Sequence, residues 1–264
     1  MNTTINYYNL NAKNFIENTQ NADMHLAQEK FLQLLPGSAS ILDFGCGSGR
    51  DTKYFLEKGY QVASTDGSAE LCRLAGSFTG IKVKEMLFQE LDEQKKYDGI
   101  WACSSILHLP KQELLSVIQK MCIALKDNGV IYTSFKYSNF EGERNGRYFT
   151  DFMEDTFREF IKVIPELTVE DQWITLDVRP GRGKMAQFNF AEKSEIEELH
   201  IEPTDVMTGD KNKSRYLLYQ LKLSIARAKQ IDIIVSFLME SGVRMLLSDL
   251  KAALQRGVRI RILT

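Results

Sequence analysis

The stretch ILDFGCGSGRD, residues 41–51, decides the fold because it joins an apolar run to a glycine-rich turn. Its glycines, Gly45, Gly47 and Gly49, occupy every second position before Arg50. A strand that runs straight into such a turn and then into a helix presents unpaired backbone N–H groups and the positive end of a helix dipole. The stretch therefore predicts a site for an anionic or nucleotide-like ligand at the carboxyl end of a parallel strand.

The spacing of these glycines distinguishes two kinds of nucleotide site. A dinucleotide fold requires G-x-G-x-x-G, in which the third glycine allows the helix to pack closely on the strand. Here the pattern is G-x-G-x-G, and Arg50 stands where the third dinucleotide glycine would be. The loop therefore departs from the dinucleotide pattern at a position that such a fold needs.

Short apolar runs alternate with longer segments of helical period from about Ser38 to Thr133. The predicted strand–helix pairs are SILDF with GRDTKYFLEKG, YQVASTD with SAELCRLAG, and YDGIWAC with KQELLSVIQKMCIALKDNG, followed by the strand VIYTSFK. Repeated units of this kind require right-handed crossovers and a parallel sheet that is covered on both faces. The sequence therefore predicts a doubly wound α/β domain, in which the last of these helices ends near Gly129.

Further elements flank this series. Two predicted helices, NAKNFIENT and MHLAQEKFLQLL, precede the first strand, and the predicted helix DFMEDTFREFIKVI follows the last one. Two more strands, LTVEDQWITLDV and MAQFNFAEK, are joined by the short Pro-Gly turn RPGRGK. Strands that are linked so briefly can only be antiparallel.

The composition is that of a soluble globular protein, with 44% hydrophobic and 26% charged residues. The net charge of −2 gives no global reason to expect a nucleic acid or an anionic membrane as partner. No basic stretch leads into an apolar core at the start, and no apolar run approaches membrane-spanning length, so we expect a cytoplasmic protein without membrane association. The four cysteines lack CxxC spacing, and we expect reduced thiols and no metal site.

Two aspartates near the glycine turn are candidates for ligand binding. Asp66 ends the next predicted strand, where a carboxylate can accept hydrogen bonds from both hydroxyls of a ribose. The string DGS is also common in turns and helix caps, but its position relative to the glycine loop favours ribose. Asp43 lies inside the first strand, where an aspartate is unfavourable unless donors reach its carboxylate, and the glycine turn supplies them.

The glycine stretch is followed by STDGS one strand later and by YDGIWACSSILHLP two strands later. In combination these motifs resemble a class I S-adenosylmethionine-dependent methyltransferase, of the small stand-alone group similar to the tellurite-resistance methyltransferases. The resemblance covers roughly Tyr7 to Phe190. It implies a mostly parallel, seven-stranded Rossmann-like sheet with an antiparallel last strand, and S-adenosyl-L-methionine as cofactor.

The resemblance also implies which residues hold the cofactor. The implied set comprises Asp43, Gly45, Gly47 and Gly49 at the methionine end, Cys46 and Arg50 in the same loop, Asp66 and Gly67 at the ribose, Leu87, Phe88 and Gln89 around the adenine, and Cys103 at the methionine portion. The family often has an aspartate at the position of Leu87. Adenine recognition is therefore expected to rest on backbone groups and on packing against Phe88.

The implied chemistry needs an aligned acceptor rather than a nucleophile on the enzyme, since the sulfonium already activates the methyl group. An acceptor that carries a proton needs a base, and His108 in SILHLP is the histidine near the carboxyl edge of the sheet. A histidine that packs or caps the turn before Pro110 is the equal alternative. Tyr8 is expected to belong to an N-terminal lid with Tyr7 and Phe15, unless these rings only pack the first helix on the domain.

The loop after the fifth strand, SFKYSNFEGERNGRYF, and the later turn DVRPGRGK are rich in basic residues. Their polar side chains are Lys136, Glu141, Arg144, Arg147, Tyr148, Arg179 and Arg182. Both segments lie above the cofactor in this fold, so guanidinium groups there suggest a small-molecule acceptor with a carboxylate or phosphate. We therefore predict Arg147 as a catalytic residue beside His108 and Tyr8. Arginines that are solvated or paired with nearby acids are the more common alternative.

The C-terminal residues have a different character. Residues 194–213 are polar and predict a linker after a methyltransferase domain of residues 1–193. Residues 214–264 predict a short αβαβ fragment, too small to bury a sheet alone, that resembles the opening of a phospholipase-D-like domain of helicase or restriction-type proteins. The H-x-K-x-x-x-x-D motif of that family is absent, since His200 is followed by Ile201 and Glu202, so no phosphodiesterase chemistry is expected.

Two functions stay open from the sequence. The first is a methyltransferase for a small molecule, and the second is a cofactor-binding targeting or assembly module of a larger helicase- or restriction-type system, with nucleic acid as eventual partner. The string ACSS replaces NPPY or DPPY after the fourth strand, which argues against the usual amino-group nucleic-acid methyltransferases. The sheet edge of the C-terminal fragment would also allow a homodimer.

Overall fold

The computed structural model describes residues 3–164, 167–179, 181–192, 230–234, 250–256 and 259–263. The chain divides into two compact units, Met1–Glu197 and Glu198–Thr264. The predicted linker of residues 194–213 lies outside the described residues. None of the helices within the described ranges is long and apolar enough to cross a membrane.

A seven-stranded sheet organises the first unit. Its strands are β1 (Ser40–Phe44), β2 (Gln61–Asp66), β3 (Val83–Glu85), β4 (Tyr97–Ala102), β5 (Leu125–Lys136), β8 (Leu167–Leu176) and β9 (Lys184–Glu192), in the spatial order β3-β2-β1-β4-β5-β9-β8. The first five strands pair in parallel, whereas β9 runs antiparallel to both β5 and β8. The predicted fold class, a mostly parallel seven-stranded sheet with an antiparallel last strand, is confirmed.

Helices cover both faces of this sheet. They are α1 (Thr3–Thr19), α2 (His25–Leu32), α3 (Arg50–Glu57), α4 (Ala69–Thr79), α5 (Lys111–Ala124) and α6 (Glu154–Ile161). Because neighbouring strand residues point to opposite faces, Leu42 joins the core beneath α5 and α6, while Ile41 joins the core beneath α2 and α3. In the core beneath α2 and α3, Trp101 stacks on Tyr132 with ring centroids 3.8 Å apart.

The helix that was predicted to end near Gly129 ends at Ala124. Leu125 already pairs with Tyr97 of β4, so the chain changes from helix to sheet at this point. Asn128 then adopts a positive φ of 62°, which a helix does not tolerate. Pairing with the neighbouring strand therefore prevails over the local helical pattern.

The predicted loop after β5 contains a β-hairpin that the sequence analysis missed. Strands β6 (Glu141–Arg144) and β7 (Arg147–Thr150) pair antiparallel across a two-residue turn. Its central residues, Asn145 and Gly146, have φ values of 51° and 73°, as a type I′ hairpin turn requires. The hairpin holds Arg147 at a fixed position directly after the turn.

In the second unit, strands β10 (Gln230–Ile234) and β11 (Arg259–Leu263) pair in parallel, and residues 250–255 between them are helical. The two strands overlap the predicted strands IDIIVSFL and VRIRILT. The remaining residues of the predicted fragment lie outside the described ranges. The resemblance to a phospholipase-D-like domain, the domain boundaries and the homodimer therefore stay predictions.

Candidate functional site

A cavity of about 490 Å³ lies at the carboxyl ends of the central strands, with side chains of α1 and of the β6–β7 hairpin in its wall. All three predicted catalytic residues, Tyr8, His108 and Arg147, line it. The predicted cofactor residues that also line it are Gly45, Cys46, Gly47, Arg50, Asp66, Gly67, Leu87, Phe88, Gln89 and Cys103. The other two predicted residues, Asp43 and Gly49, do not reach the cavity wall.

The glycines of the loop allow close approach by the protein's own side chains. A Cβ on Gly45 would come within 2.5 Å of the Ser105 Cβ, and one on Gly47 would lie 3.0 Å from the Phe15 ring. Gly49, at φ +77°, is the N-cap residue that precedes α3, and a Cβ there would meet Thr79 of α4 at 2.8 Å. Gly49 thus allows α3 to pack on α4. Gly45 and Gly47 allow Ser105 and Phe15 to approach the loop backbone closely.

Asp66 stands at the tip of β2 with both carboxylate oxygens in use. Its Oδ2 accepts from the Gly47 N–H at 2.9 Å and its Oδ1 from the Ser68 N–H at 2.8 Å. Burial raises the pKa of Asp66, and these backbone donors oppose that shift. The Gly67 N–H also acts on this carboxylate. A carboxylate can accept about four hydrogen bonds, so Asp66 keeps capacity for a further donor such as a ribose hydroxyl.

Asp43 has a different environment from the one predicted. Its carboxyl group is buried and accepts from the Thr52 hydroxyl at 2.6 Å. Burial, reinforced by the charge of Asp51, raises the pKa of Asp43 to about 8. Asp43 therefore supports the start of α3 from behind the loop, and its predicted contact with the methionine end stays a prediction.

Asp51 is a structural centre that the sequence analysis did not single out. It accepts from Arg50 Nε at 2.9 Å and Nη2 at 2.7 Å, from Gln28 Nε2 at 2.7 Å and from Trp101 Nε1 at 2.9 Å. Burial alone would raise the pKa of Asp51, but Arg50 and the neutral donors hold it below its usual range. Arg50 is thereby fixed in the cavity wall, with Nη2 lying 3.7 Å from the Cys103 sulfur.

Tyr8 and His108 form a hydrogen-bonded pair in the cavity wall. His108 Nδ1 lies 2.6 Å from the Tyr148 carbonyl oxygen, which can only accept, so Nδ1 carries the proton. His108 Nε2 lies 2.8 Å from the Tyr8 hydroxyl and must be the acceptor of that bond. Burial, with a smaller contribution from the charge of Arg147, lowers the pKa of His108 to about 4 against the opposing effect of the Tyr148 carbonyl. The imidazole is therefore neutral at pH 7, with its lone pair directed at Tyr8.

Arg147 completes this group. Its guanidinium lies over the Tyr7 ring at 4.4 Å and near the Phe149 ring at 5.2 Å, while Nη1 lies 3.4 Å from the Tyr8 hydroxyl. Burial raises the pKa of Tyr8, and the neighbouring Arg147 opposes that rise. Arg147, Tyr8 and His108 thus form a chain of contacts between the hairpin, the first helix and the turn after β4.

The residues predicted to surround adenine are partly committed to other contacts. The Leu87 N–H donates to Glu90 Oε2 at 2.7 Å, and the Gln89 side-chain amide donates to Glu113 at 2.6 Å. The Phe88 ring packs edge-on against Phe44 with centroids 4.8 Å apart. A role in binding adenine stays a prediction for these residues, with the Phe88 ring as its main physical basis.

The cavity wall after β4 contains a strained residue that the sequence analysis missed. Ser104 has a positive φ of 50° and donates its N–H to the Ser134 hydroxyl at 2.9 Å. Such backbone is costly for a non-glycine residue and is concentrated at functional sites. Burial, together with the charge of Asp51, raises the pKa of the adjacent Cys103 thiol to about 12, so this sulfur is protonated. No local pattern in ACSS predicts the strain.

Most of the predicted basic cluster is paired with carboxylates. Lys136 and Arg179 both contact Asp177, at 2.8 Å and 3.0 Å, and Arg144 contacts Asp151 at 2.5 Å. Glu141 accepts from the Tyr148 hydroxyl at 3.2 Å. Within the described residues, Arg147 and Arg182 are the members of the cluster without a carboxylate in ion-pair distance. The described ranges also contain no cluster of three His, Cys, Asp or Glu side chains that could hold a metal ion.

Comparison with known proteins supports one class of activity. Residues 41–129 match the family described as "Methyltransferase domain". An uncharacterized methyltransferase of Staphylococcus carnosus is 24% identical over 173 residues, which are 61% of this chain and 84% of that protein. The N-terminal Xaa-Pro-Lys N-methyltransferase 1-A of Xenopus laevis is 32% identical over 127 residues, which are 42% of this chain and 56% of that protein. The family match is confined to residues 41–129, and both relatives are named methyltransferases.

The fold is also shared with a solved enzyme. The 1,6-didemethyltoxoflavin-N1-methyltransferase of Burkholderia thailandensis superposes with a TM-score of 0.59 at 23% identity, and the match covers 72% of this chain and 85% of that one. That structure contains 1,6-didemethyltoxoflavin and S-adenosylhomocysteine. At this identity the similarity concerns the fold.

Proposed function

We propose that this chain transfers the methyl group of S-adenosylmethionine to a small-molecule acceptor by in-line displacement. The observation that carries the proposal is a single cavity lined by two chemically different groups of residues. Asp66 and the glycine loop of the segment that matches the methyltransferase family form one group, and Tyr8, His108 and Arg147 form the other. The first group suits a ribose and a methionine tail, and the second suits a reacting atom that loses a proton.

The residues present fit the cofactor. The cavity volume of about 490 Å³ falls in the usual range for small-molecule sites, about 300–1,000 Å³. Asp66 would accept from the ribose hydroxyls, Phe88 would pack against the adenine and Cys103 would face the methionine portion. When bound, S-adenosylmethionine supplies a methyl group that its positively charged sulfur already activates.

The chain's own residues then have to align the acceptor, exclude water and remove a proton. The neutral imidazole of His108 can accept a proton at Nε2, and the Tyr8 hydroxyl, which would lie between the acceptor and His108, can relay it. In this relay the acceptor proton moves to the Tyr8 oxygen while the Tyr8 proton moves to His108 Nε2. A weak base is sufficient because methylation makes the remaining proton of an amine or hydroxyl acceptor more acidic.

Ligand titration of the 264-residue chain tests the proposal. S-adenosylhomocysteine should bind with one molecule per chain, whereas NAD⁺ should not bind, because Arg50 replaces the third dinucleotide glycine. The variant Asp92→Asn, which changes an exposed aspartate, is the control for Asp66→Asn. No binding of S-adenosylhomocysteine, or tighter binding of NAD⁺, would reject the proposal.

The alternative of a targeting or assembly module rests on the C-terminal fragment. Most of residues 194–264 lie outside the described ranges, and no observation on the described residues favours it.

A further inference from the structure

We infer that the part of the cavity lined by Tyr8, His108 and Arg147 binds an anionic oxygen group of the acceptor, a carboxylate or phosphate. Arg147 is the main ligand of this group. The inference rests on the proposed function, since it names the class of acceptor for the same cavity. The cluster of basic residues in the sequence is not sufficient support, because several members are neutralised by the protein itself. The decisive features are which cations have no carboxylate partner among the described residues and where these cations lie.

The charges around the cavity leave a positive surplus. Six cationic side chains line it, namely Arg50, Lys136, Arg144, Arg147, Arg179 and Arg182. Within the described part of the chain, the carboxylates that pair with them are Asp51, Asp151 and Asp177. Even with the carboxylate of Asp66 included, cations outnumber carboxylates.

The proposed cofactor increases this imbalance. S-adenosylmethionine carries a sulfonium, an ammonium and one carboxylate, and therefore one net positive charge. Like charges inside a partly desolvated cavity repel more strongly than in water. An acceptor with a negative group lowers the electrostatic energy of the loaded site, whereas a neutral or cationic acceptor does not.

Arg147 is the cation that is best placed for this group. Three aromatic rings surround its guanidinium, those of Tyr7 at 4.4 Å, Phe149 at 5.2 Å and Tyr8 at 5.8 Å. Stacking on rings orients a guanidinium without neutralising it and leaves its N–H edge available. The Nε atom is buried and has no hydrogen-bond partner among the described residues. A buried, unsatisfied N–H is costly, and a shift of the side chain that brings Nε–H to a bound carboxylate or phosphate would satisfy it without breaking a hydrogen bond at Nε.

The location of Arg147 also relates the anion to the reacting atom. Its Nη1 lies 3.4 Å from the Tyr8 hydroxyl, which in turn lies 2.8 Å from His108 Nε2. An acceptor anchored at Arg147 would therefore present a neighbouring nitrogen or oxygen atom to the Tyr8–His108 pair. Arg182 also lines the cavity and adds positive charge there, although its side chain is exposed.

Calorimetric titration of the 264-residue chain with sodium benzoate, with and without saturating S-adenosylhomocysteine, tests the inference. Benzamide is the neutral analogue of similar shape, and inorganic phosphate is the second anion. The Arg147→Gln variant should bind the preferred anion at least about tenfold more weakly than the parent, as expected for loss of a hydrogen-bonded charged partner. The control Arg158→Gln, which removes an exposed cation on α6, should bind it like the parent.

Each outcome separates the two proposals. Arg147-dependent binding of benzoate supports a carboxylate, and Arg147-dependent binding of phosphate alone supports a phosphate. Equal binding of benzamide and benzoate, or anion binding that Arg147→Gln leaves unchanged, overturns the anion site even if S-adenosylhomocysteine binds. If S-adenosylhomocysteine fails to bind, the proposed function is rejected, and the titrations without it still decide the anion site.

The variant Arg147→Lys covers the case in which Arg147→Gln does not fold, as judged by its thermal unfolding. Lysine keeps the charge but loses the planar fork of N–H donors. The preference for benzoate over benzamide should then fall relative to the parent, and an unchanged preference overturns the inference.

Discussion

The neutral state of His108 predicts a measurable pH dependence of stability. The pKa of His108 is lowered from 6.5 to about 4 in the folded chain, chiefly by burial. Between these two values the unfolded chain binds a proton at this histidine that the folded chain does not bind. The contribution to stability is therefore complete above about pH 6.5 and is lost as the pH falls toward 4.

The size of this effect follows from the pKa difference. One pKa unit corresponds to about 1.4 kcal/mol, so the shift amounts to about 3 kcal/mol in the free energy of unfolding. This value is an upper bound because the His108 side chain is partly exposed. Asp43 acts in the opposite direction, since its raised pKa, about 8, makes the folded chain lose stability as the pH rises. The parent curve alone therefore does not isolate the histidine.

The assay compares the parent with His108→Gln by urea unfolding at several pH values, followed through tryptophan fluorescence. As the pH falls from about 7 to 4, the free energy of unfolding of the parent should decrease by up to about 3 kcal/mol more than that of His108→Gln. His25→Gln, which removes a histidine with a 65% exposed side chain, is the matched control. A flat difference curve for His108→Gln would refute the lowered pKa of His108 and with it the neutral imidazole.

Three further variants test the cavity. Asp66→Asn should weaken S-adenosylhomocysteine binding by about 1.5–3 kcal/mol in calorimetry, as expected for lost hydrogen bonds to a charged group, and unchanged affinity would contradict the ribose role. Tyr8→Phe should slow methyl transfer without changing cofactor affinity, because it interrupts the route to His108; an equal loss of both would indicate a structural role. Gly47→Ala should lower the midpoint of thermal unfolding, because φ is +56° and the new Cβ lies 3.0 Å from Phe15, and an unchanged midpoint would contradict this packing.

The sheet could be predicted because its determinants are local. Alternating apolar runs and helical periods define the parallel units, and the short connection RPGRGK dictates the antiparallel last pair. The hairpin turn at Asn145 and Gly146 also carried a local signal, since Asn-Gly is the strongest short hairpin signature. It was missed because the flanking segments EGER and RYFT lack the apolar alternation of ordinary strands.

The position of Asp66 in the cavity wall was predictable because it follows from the end of one strand, while its role at the ribose stays a prediction. The net charge of the basic cluster was not predictable, because carboxylates that are distant in the sequence pair with its members. The interaction of Lys136 with Asp177 joins residues 41 positions apart, and no pattern along the chain reveals it. Asp43 shows the same limit, because its hydrogen bond with Thr52 depends on how α3 turns back on β1.

A crystal structure of the 264-residue chain with S-adenosylhomocysteine tests the central claim most directly. We predict the ribose hydroxyls within hydrogen-bond distance of Asp66, and the sulfur on the side of the cavity where Tyr8 and His108 meet. A ligand whose ribose lies away from Asp66, or whose sulfur faces away from the Tyr8–His108 pair, would contradict the account.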